Sequence, residues 1–303
     1  MTMRTRHVLM VLTALVVVAA FGVYVLVQRL GDHLPQLLPP GRACVVNAGN
    51  ASVNAKGTAS GTSSGADSAV ALDAEQVANA ATITAVGLRR GVPQRALVVA
   101  LATAWQESKL ENLGGGDRDS IGLFQQRPSQ GWGTPEQVAD PRYAANAFYT
   151  ALLKVKGWEK MRVTDAAQEV QRSALPEAYE KWVDESEIMA RALSGEATSA
   201  VACTVTETTS HGTEAAKTLT AGVKLDWGNV STADVADLVG VALKVREQKT
   251  GWQYAHWLVA HAQDHGVKRV VFNDMEWTAK SGGWTRVTQR GGAAAQQVVA
   301  EVY

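Results

Sequence analysis

The sequence predicts a mainly helical domain carrying one small β hairpin, then a small two-layer α/β module, with an N-terminal transmembrane helix ahead of both. Three observations carry this expectation. Residues 8–27 form an uncharged apolar run of twenty, long enough to span a bilayer core. Between Asp73 and Gly195, apolar residues recur at helical spacing between capping and proline signals. In the last third of the chain the period changes to two, back to helical, and to two again. A length of 303 residues suits two domains. With 46% hydrophobic and 19% charged residues, most of it has enough apolar surface to fold.

The first thirty residues read as a membrane anchor. Arg4, Arg6 and His7 precede the apolar run, and positive flanks stay cytoplasmic, so the bulk of the chain is expected outside the cytoplasmic membrane. A cleaved signal peptide is the alternative; its apolar region is usually shorter, and no clean small-x-small site is seen. Residues 31–70 read as stalk and linker. Leu34 to Pro40 bears prolines, and 47–68 is rich in Gly, Ser, Ala, Thr and Asn. The two cysteines, Cys44 and Cys203, are expected to be bridged in an oxidising compartment. Closing so long a loop contributes on the order of 4–5 kcal/mol in the chain-entropy model. Two cysteines are too few for a structural metal site. Lys plus Arg and Asp plus Glu both number 29, so no net field draws the chain to nucleic acid.

The helical domain is placed at 71–203. Asp73 can cap a first helix with Gln76 three residues on, and Val77, Ala80, Ala81, Thr84, Ala85 and Leu88 follow before Gly91 stops it. Pro93 opens the second, whose inner stripe is Leu97, Leu101, Ala104 and Trp105 and which runs to about Glu107. Residues 114–126 break the rhythm and read as loop and hairpin. Thr134 and Gln137 form a capping box, and Asp140-Pro141 starts a helix with Ala144, Ala147, Phe148, Ala151, Leu152 and Val155 on one face. Thr164 begins another, expected to reach about Leu175 before Pro176 resets it; Tyr179, Trp182, Val183, Ala190 and Leu193 carry the last one to Gly195. The Thr- and Ser-rich stretch from Val201 reads as a second linker, assigned to 204–222. In the module at 223–303, Val239, Val241, Leu243 and Val245 alternate as a strand, 252–265 is helical, and 268–272 and 296–303 are strands.

Glu107 is the candidate acid. Glycoside cleavage needs a carboxyl still protonated at working pH to protonate the leaving oxygen. A helix C-terminus and partial burial both favour that state, while Lys109 opposes it if it points at the site. A second carboxylate would come from Asp117 or Asp119, which are otherwise turn residues. The sugar's own hydroxyl or acetamido group can instead act as internal nucleophile, and then one carboxyl suffices. Trp132, between two glycines, offers a face for sugar stacking or a lid on the local core; Trp105 reads as core.

The stretch Glu107-Ser108-Lys109-Leu110, followed by Ser120-Ile121-Gly122-Leu123-Phe124-Gln125, resembles the Glu-Ser and Gly-Leu-Met-Gln signatures of soluble lytic transglycosylases and goose-type lysozymes. More closely, residues 106–132 resemble a group of actinobacterial exported lysozyme-like proteins, over about 72–203 of this chain. The resemblance implies a lysozyme-like fold acting on peptidoglycan, with Glu107 as acid and Ser120, Gln125 and Gln126 lining the glycan cleft. The late Ala-x-x-Tyr-Asn-x-Gly segment of transglycosylases is missing, since residues 167–174 read AQEVQRSA. Gln171 and Tyr179 are the candidates to take over its substrate contacts.

In the C-terminal module, His261 and His265 lie four apart, but no Glu completes an H-E-x-x-H arrangement and His256 falls on another face. No metal and no cofactor is expected. The module is similar to C-terminal domains of other actinobacterial exported wall proteins, which implies an accessory role. The expected function is cleavage of the β-1,4 MurNAc–GlcNAc strand of peptidoglycan outside the membrane. The rivals are a non-catalytic wall-binding protein and a component of a secretion or conjugation apparatus.

Overall fold

The structure, a computed structural model, describes residues 43–48, 69–205, 208–287 and 296–303. The apolar run 8–27, the stalk at 34–40 and linker residues 49–68 lie outside the described residues. Among the described residues, no helix is long and apolar enough to cross a membrane.

Strands β1 (Cys44–Asn47), β2 (Ala69–Leu72) and β3 (Val201–Cys203) form a three-stranded antiparallel sheet in the order β2-β1-β3. Cys44 stands opposite Leu72 on one side and Cys203 on the other, and the Cys44–Cys203 disulfide joins β1 to β3 across a sequence separation of 159.

Helix α1 (Ala74–Arg89) starts at the Asp73–Gln76 capping box and is buried continuously from Val77 to Gly87, which makes it the central helix of the unit. Helix α2 (Gln94–Ser108) packs beside it, buried from Ala96 to Trp105. Short α3 (Pro135–Val138) leads through Asp140, which caps α4 (Pro141–Leu152). Helix α5 (Val163–Gln171) stops short of the expected Leu175 because Arg172 turns left-handed at φ 53°. A 3-10 turn over Pro176–Trp182 then feeds α6 (Val183–Leu193).

The C-terminal part begins with α7 (Gly212–Trp227), which starts inside the stretch assigned to a linker at 204–222 and runs on past it. Strand β4 (Gly240–Lys244), helices α8 (Gln248–Ala260) and α9 (Ala262–His265), and strands β5 (Val267–Phe272), β6 (Met275–Thr278), β7 (Trp284–Arg286) and β8 (Gln297–Val302) complete it. The sheet order is β4-β8-β5-β6-β7, antiparallel at every pairing. Both β4 and β5 oppose β8, so they run the same way with β8 inserted between them and α8 in the connection. Residues 40–303 form one unit, with a single hydrophobic core from Cys44 to Val302.

The expected class, a lysozyme-like α domain with one hairpin plus an α/β module behind a transmembrane helix, is therefore corrected: the described chain is helices with two antiparallel sheets. The first sheet was unforeseen because its strands are three or four residues long, too short to display a period of two, and β3 comes from the far end of the helical region. The expected hairpin at 114–126 is a single bridge between Ile121 and Gln126. Gly122 and Gln125 between them both have positive φ, which a strand ladder does not accommodate.

Candidate active site

Glu107 lies in the last turn of α2, which ends when Lys109 adopts the left-handed conformation at φ 60°. Leu110 follows with φ 64°. Two polar side chains of α1 hold this turn: Asn79 donates to the Leu110 carbonyl at 2.7 Å and Gln76 to the Lys109 carbonyl at 3.0 Å. The half-buried Glu107 accepts a 2.7 Å hydrogen bond at Oε1 from the Tyr179 hydroxyl. Tyr179 belongs to the 3-10 turn before α6 and is fully buried. Burial first, and then the charge of Glu107, push its phenol above the ordinary range, so it remains a donor.

An aromatic and cationic group flanks the pair. Trp182 stacks on Trp105 at 5.2 Å and donates from Nε1 to Gln106 Oε1 at 2.9 Å. Lys109 Nζ stands 4.4 Å and Lys181 Nζ 5.1 Å from the Trp182 ring. Partial burial, then Lys181, lower the Lys109 pKa.

The loop after α2 is held from four directions. Ser108 donates to the Leu123 carbonyl at 2.8 Å, and Gln171, at the end of α5, to the Phe124 carbonyl at 2.8 Å. Gln126 donates to the Ala144 carbonyl of α4 at 3.1 Å, and Phe124 stacks on Phe148 at 4.7 Å. On the fourth side, Gly122 meets α3: at φ 76°, a Cβ there would sit 2.4 Å from the Val138 carbonyl oxygen, so both conformation and space require glycine. Gln125 is half-buried, bonds back to the Gly122 carbonyl at 3.1 Å and lies over Gly116.

The two candidate aspartates differ. Asp119 accepts from Arg127 Nε at 2.8 Å, from the Ser129 hydroxyl at 3.0 Å and from the Ser129 amide at 2.7 Å. The Arg127 bond, then those of Ser129, hold its carboxyl well below the usual range; it closes the 127–129 turn. Asp117 is exposed, with Arg118 at 3.9 Å. Among the described residues, neither aspartate bonds to Glu107 or Tyr179.

Ser120 and Gln126 are 7% and 1% exposed. In this conformation they shape the loop from inside and offer little or no surface to a ligand. Trp132 and Gln171 border a groove of about 1200 Å³, together with Tyr143, Asn146, Lys154 and Met161. Tyr143 donates to the Trp132 carbonyl at 3.2 Å. Of the candidates, the structure joins Glu107 to Tyr179, and Gln171 links the loop to the groove; Asp117 and Asp119 stand apart. The supporting residues Asn79, Ser108, Arg127 and Ser129 were not singled out. Only Ser108, beside Glu107 in the signature, carried a signal.

A second polar centre was also missed. Asp226, in the last turn of α7, is fully buried. Its Oδ2 accepts from Thr82 Oγ1 at 2.9 Å and from Trp257 Nε1 at 2.7 Å, and its Oδ1 from Arg142 Nε. His261 Nε2 stands 3.9 Å away. Burial lowers His261 to about 4 and also lowers His265. His256 accepts at Nε2 from the Ala200 amide at 2.9 Å, so its Nδ1 is the donor to the Ala192 carbonyl at 2.8 Å. Burial pushes it down to about 4 as well. Among the described residues, no group of His, Cys, Asp and Glu is arranged to hold a metal ion.

Residues 232–298 match the family model described as VldE, C-terminal domain. The match spans β4 to the start of β8 and leaves out the Glu107 region. No curated protein matches the chain.

Proposed function

We propose that the chain cleaves the β-1,4 MurNAc–GlcNAc strand of peptidoglycan, outside the cytoplasm, with Glu107 as general acid. The observation that carries this reading is the half-buried carboxyl at the end of α2, oriented by a bond from the buried Tyr179 hydroxyl. Tyr179 engages Oε1, so Oε2 is the oxygen left to deliver a proton to the glycosidic oxygen. The groove at Gln171 and Trp132, which Glu107 does not itself line, is of a size and polarity for a sugar chain, and Gln171 ties it to the loop after Glu107. The Cys44–Cys203 bridge supports action in an oxidising compartment.

Asp119 is committed to Arg127 and Ser129, and Asp117 is solvated. A route in which the substrate's own hydroxyl or acetamido group attacks the anomeric carbon therefore fits better than one with a second protein carboxylate. If the 6-hydroxyl attacks, the C1–O bond breaks as the new C1–O6 bond forms. The proton given to the leaving oxygen is balanced by the one lost from O6, which Glu107 can take back.

Zymography on purified wall with the soluble part of the chain tests the reading. Wild type clears the gel and Glu107→Gln does not; equal clearing by both, or by neither, overturns it. Mass spectrometry of the products separates free reducing ends from 1,6-anhydro ends. The second reading, a wall-binding protein without turnover, is favoured by the finding that, among the described residues, neither Asp117 nor Asp119 bonds to Glu107. It predicts that wild type and Glu107→Gln bind wall equally and neither clears it.

A further inference from the structure

We infer that Asp226 is a positioning residue for the groove: the C-terminal part of the chain holds the Trp132 wall in place through Arg142 and Tyr143. The inference takes the groove as substrate site only for its kinetic arm; the geometry stands without it.

The first turn of α4 is where the connections converge. Asp140 caps it, accepting from the amides of Arg142 at 2.7 Å and Tyr143 at 3.4 Å. Arg142 reaches to Asp226 of α7, a carboxylate with no exposed surface. Tyr143 reaches the other way and donates to the Trp132 carbonyl. Its ring also packs on the next residue: a Cβ on Gly133, which has φ 140°, would lie 2.7 Å from the Tyr143 hydroxyl. One residue further, the Ala144 carbonyl accepts from Gln126 of the signature loop. Three consecutive residues thus tie the C-terminal part, the groove wall and the loop to one helical turn.

Asp226 is a fixed point. Thr82 of α1, Trp257 of α8 and Arg142 of α4 donate to it, and His261 and His265 face it from the end of α8 and from α9. A buried carboxylate is stable only with such partners, and Arg142 is the one among them that is partly exposed and belongs to the groove-bearing helix. The orientation of α4's first turn, and with it Tyr143 and Trp132, follows from where Asp226 sits.

The test uses the full chain with Asp226→Asn, which keeps an acceptor but loses the charge, and Tyr143→Phe, which cuts the last link without disturbing the buried centre. Chymotryptic cleavage after Trp132, measured relative to cleavage after the buried Phe124, is expected to quicken at least fivefold in both variants. KM for polymeric glycan is expected to rise threefold or more with kcat within twofold, and the double variant to show no more than the larger single effect. If Tyr143→Phe quickens the Trp132 cut and Asp226→Asn does not, or if the two KM effects multiply, the inference is overturned. Should Asp226→Asn fail to fold, Arg142→Lys takes its place, and an unchanged Trp132 cut in that variant overturns the inference equally. Loss of the glycosidase reading would show instead as inert wild type, and the cleavage ratio would still decide this point.

Discussion

Glu107 and Asp226 occupy matching places, each the next-to-last residue of its helix. The macrodipole disfavours a negative charge at both. Asp226 answers with burial and saturation: a guanidinium, a hydroxyl and an indole N–H all donate to it. Glu107 is half-open and, among the described residues, receives one hydrogen bond, from a neutral phenol. A buried carboxylate with three donors on its two oxygens holds helices together and is closed to a ligand. One that is half-open and oriented at one oxygen keeps a site for proton transfer. The difference lies in the neighbours and not in the local sequence.

Substitution separates the two most sharply. Glu107→Gln should lower wall clearing by about 10²–10⁴-fold, the usual weight of a general acid, with the melting temperature little changed. Asp226→Ala should do the reverse: it strands Arg142 and two other donors, Thr82 and Trp257, at a cost of about 3–5 kcal/mol, read by urea unfolding. A loss of stability in Glu107→Gln matching that of Asp226→Ala would erase the contrast.

Acid should weaken the fold through its buried histidines. His256 is held neutral in the fold at about 4, against about 6.5 in an unfolded chain. Its stabilising contribution is complete above about pH 6.5, because the unfolded chain then gains no extra proton. It is lost progressively as pH falls towards about 4. At pH 5 the loss from His256 alone is about 2 kcal/mol relative to pH 7.5, and His261 adds in the same direction. Thermal melts at the two pH values check this; an unchanged or higher melting temperature at pH 5 would contradict it. Activity lost in that window therefore belongs first to the fold.

The helices were legible because their signals are local. The Asp73–Gln76 box, the Thr134–Gln137 box and the Asp140-Pro141 start each stand where the chain enters a helix. So were β4, β5 and β8, which are apolar-rich runs of five or six residues, with clean alternation of burial in β8. What escaped was non-local. Neither β1 nor β3 shows a period, and each exists by pairing with the other. Nothing around Asp226 marks it as a buried ion, since Thr82, Arg142 and Trp257 come from three other helices. At the candidate site, Glu107 stood out through the signature beside it. Tyr179 was singled out as a substrate contact, and its hydroxyl donates to Glu107.

That last point sets the finest test of the comparison. Tyr179 has no exposed surface, so a role in gripping substrate would require the turn to open, while a role in orienting Glu107 requires nothing further. Tyr179→Phe keeps the packing and removes one hydrogen bond, which is worth about 1 kcal/mol of stability and, if it sets the carboxyl's geometry, about tenfold in turnover. The expected outcome is kcat down by about that factor with KM for glycan strands unchanged, because the groove residues Trp132 and Gln171 are untouched. A rise in KM with kcat preserved would instead make Tyr179 a substrate contact. Glu107 would then be free to turn, and its single bond would no longer distinguish it from an ordinary surface carboxylate.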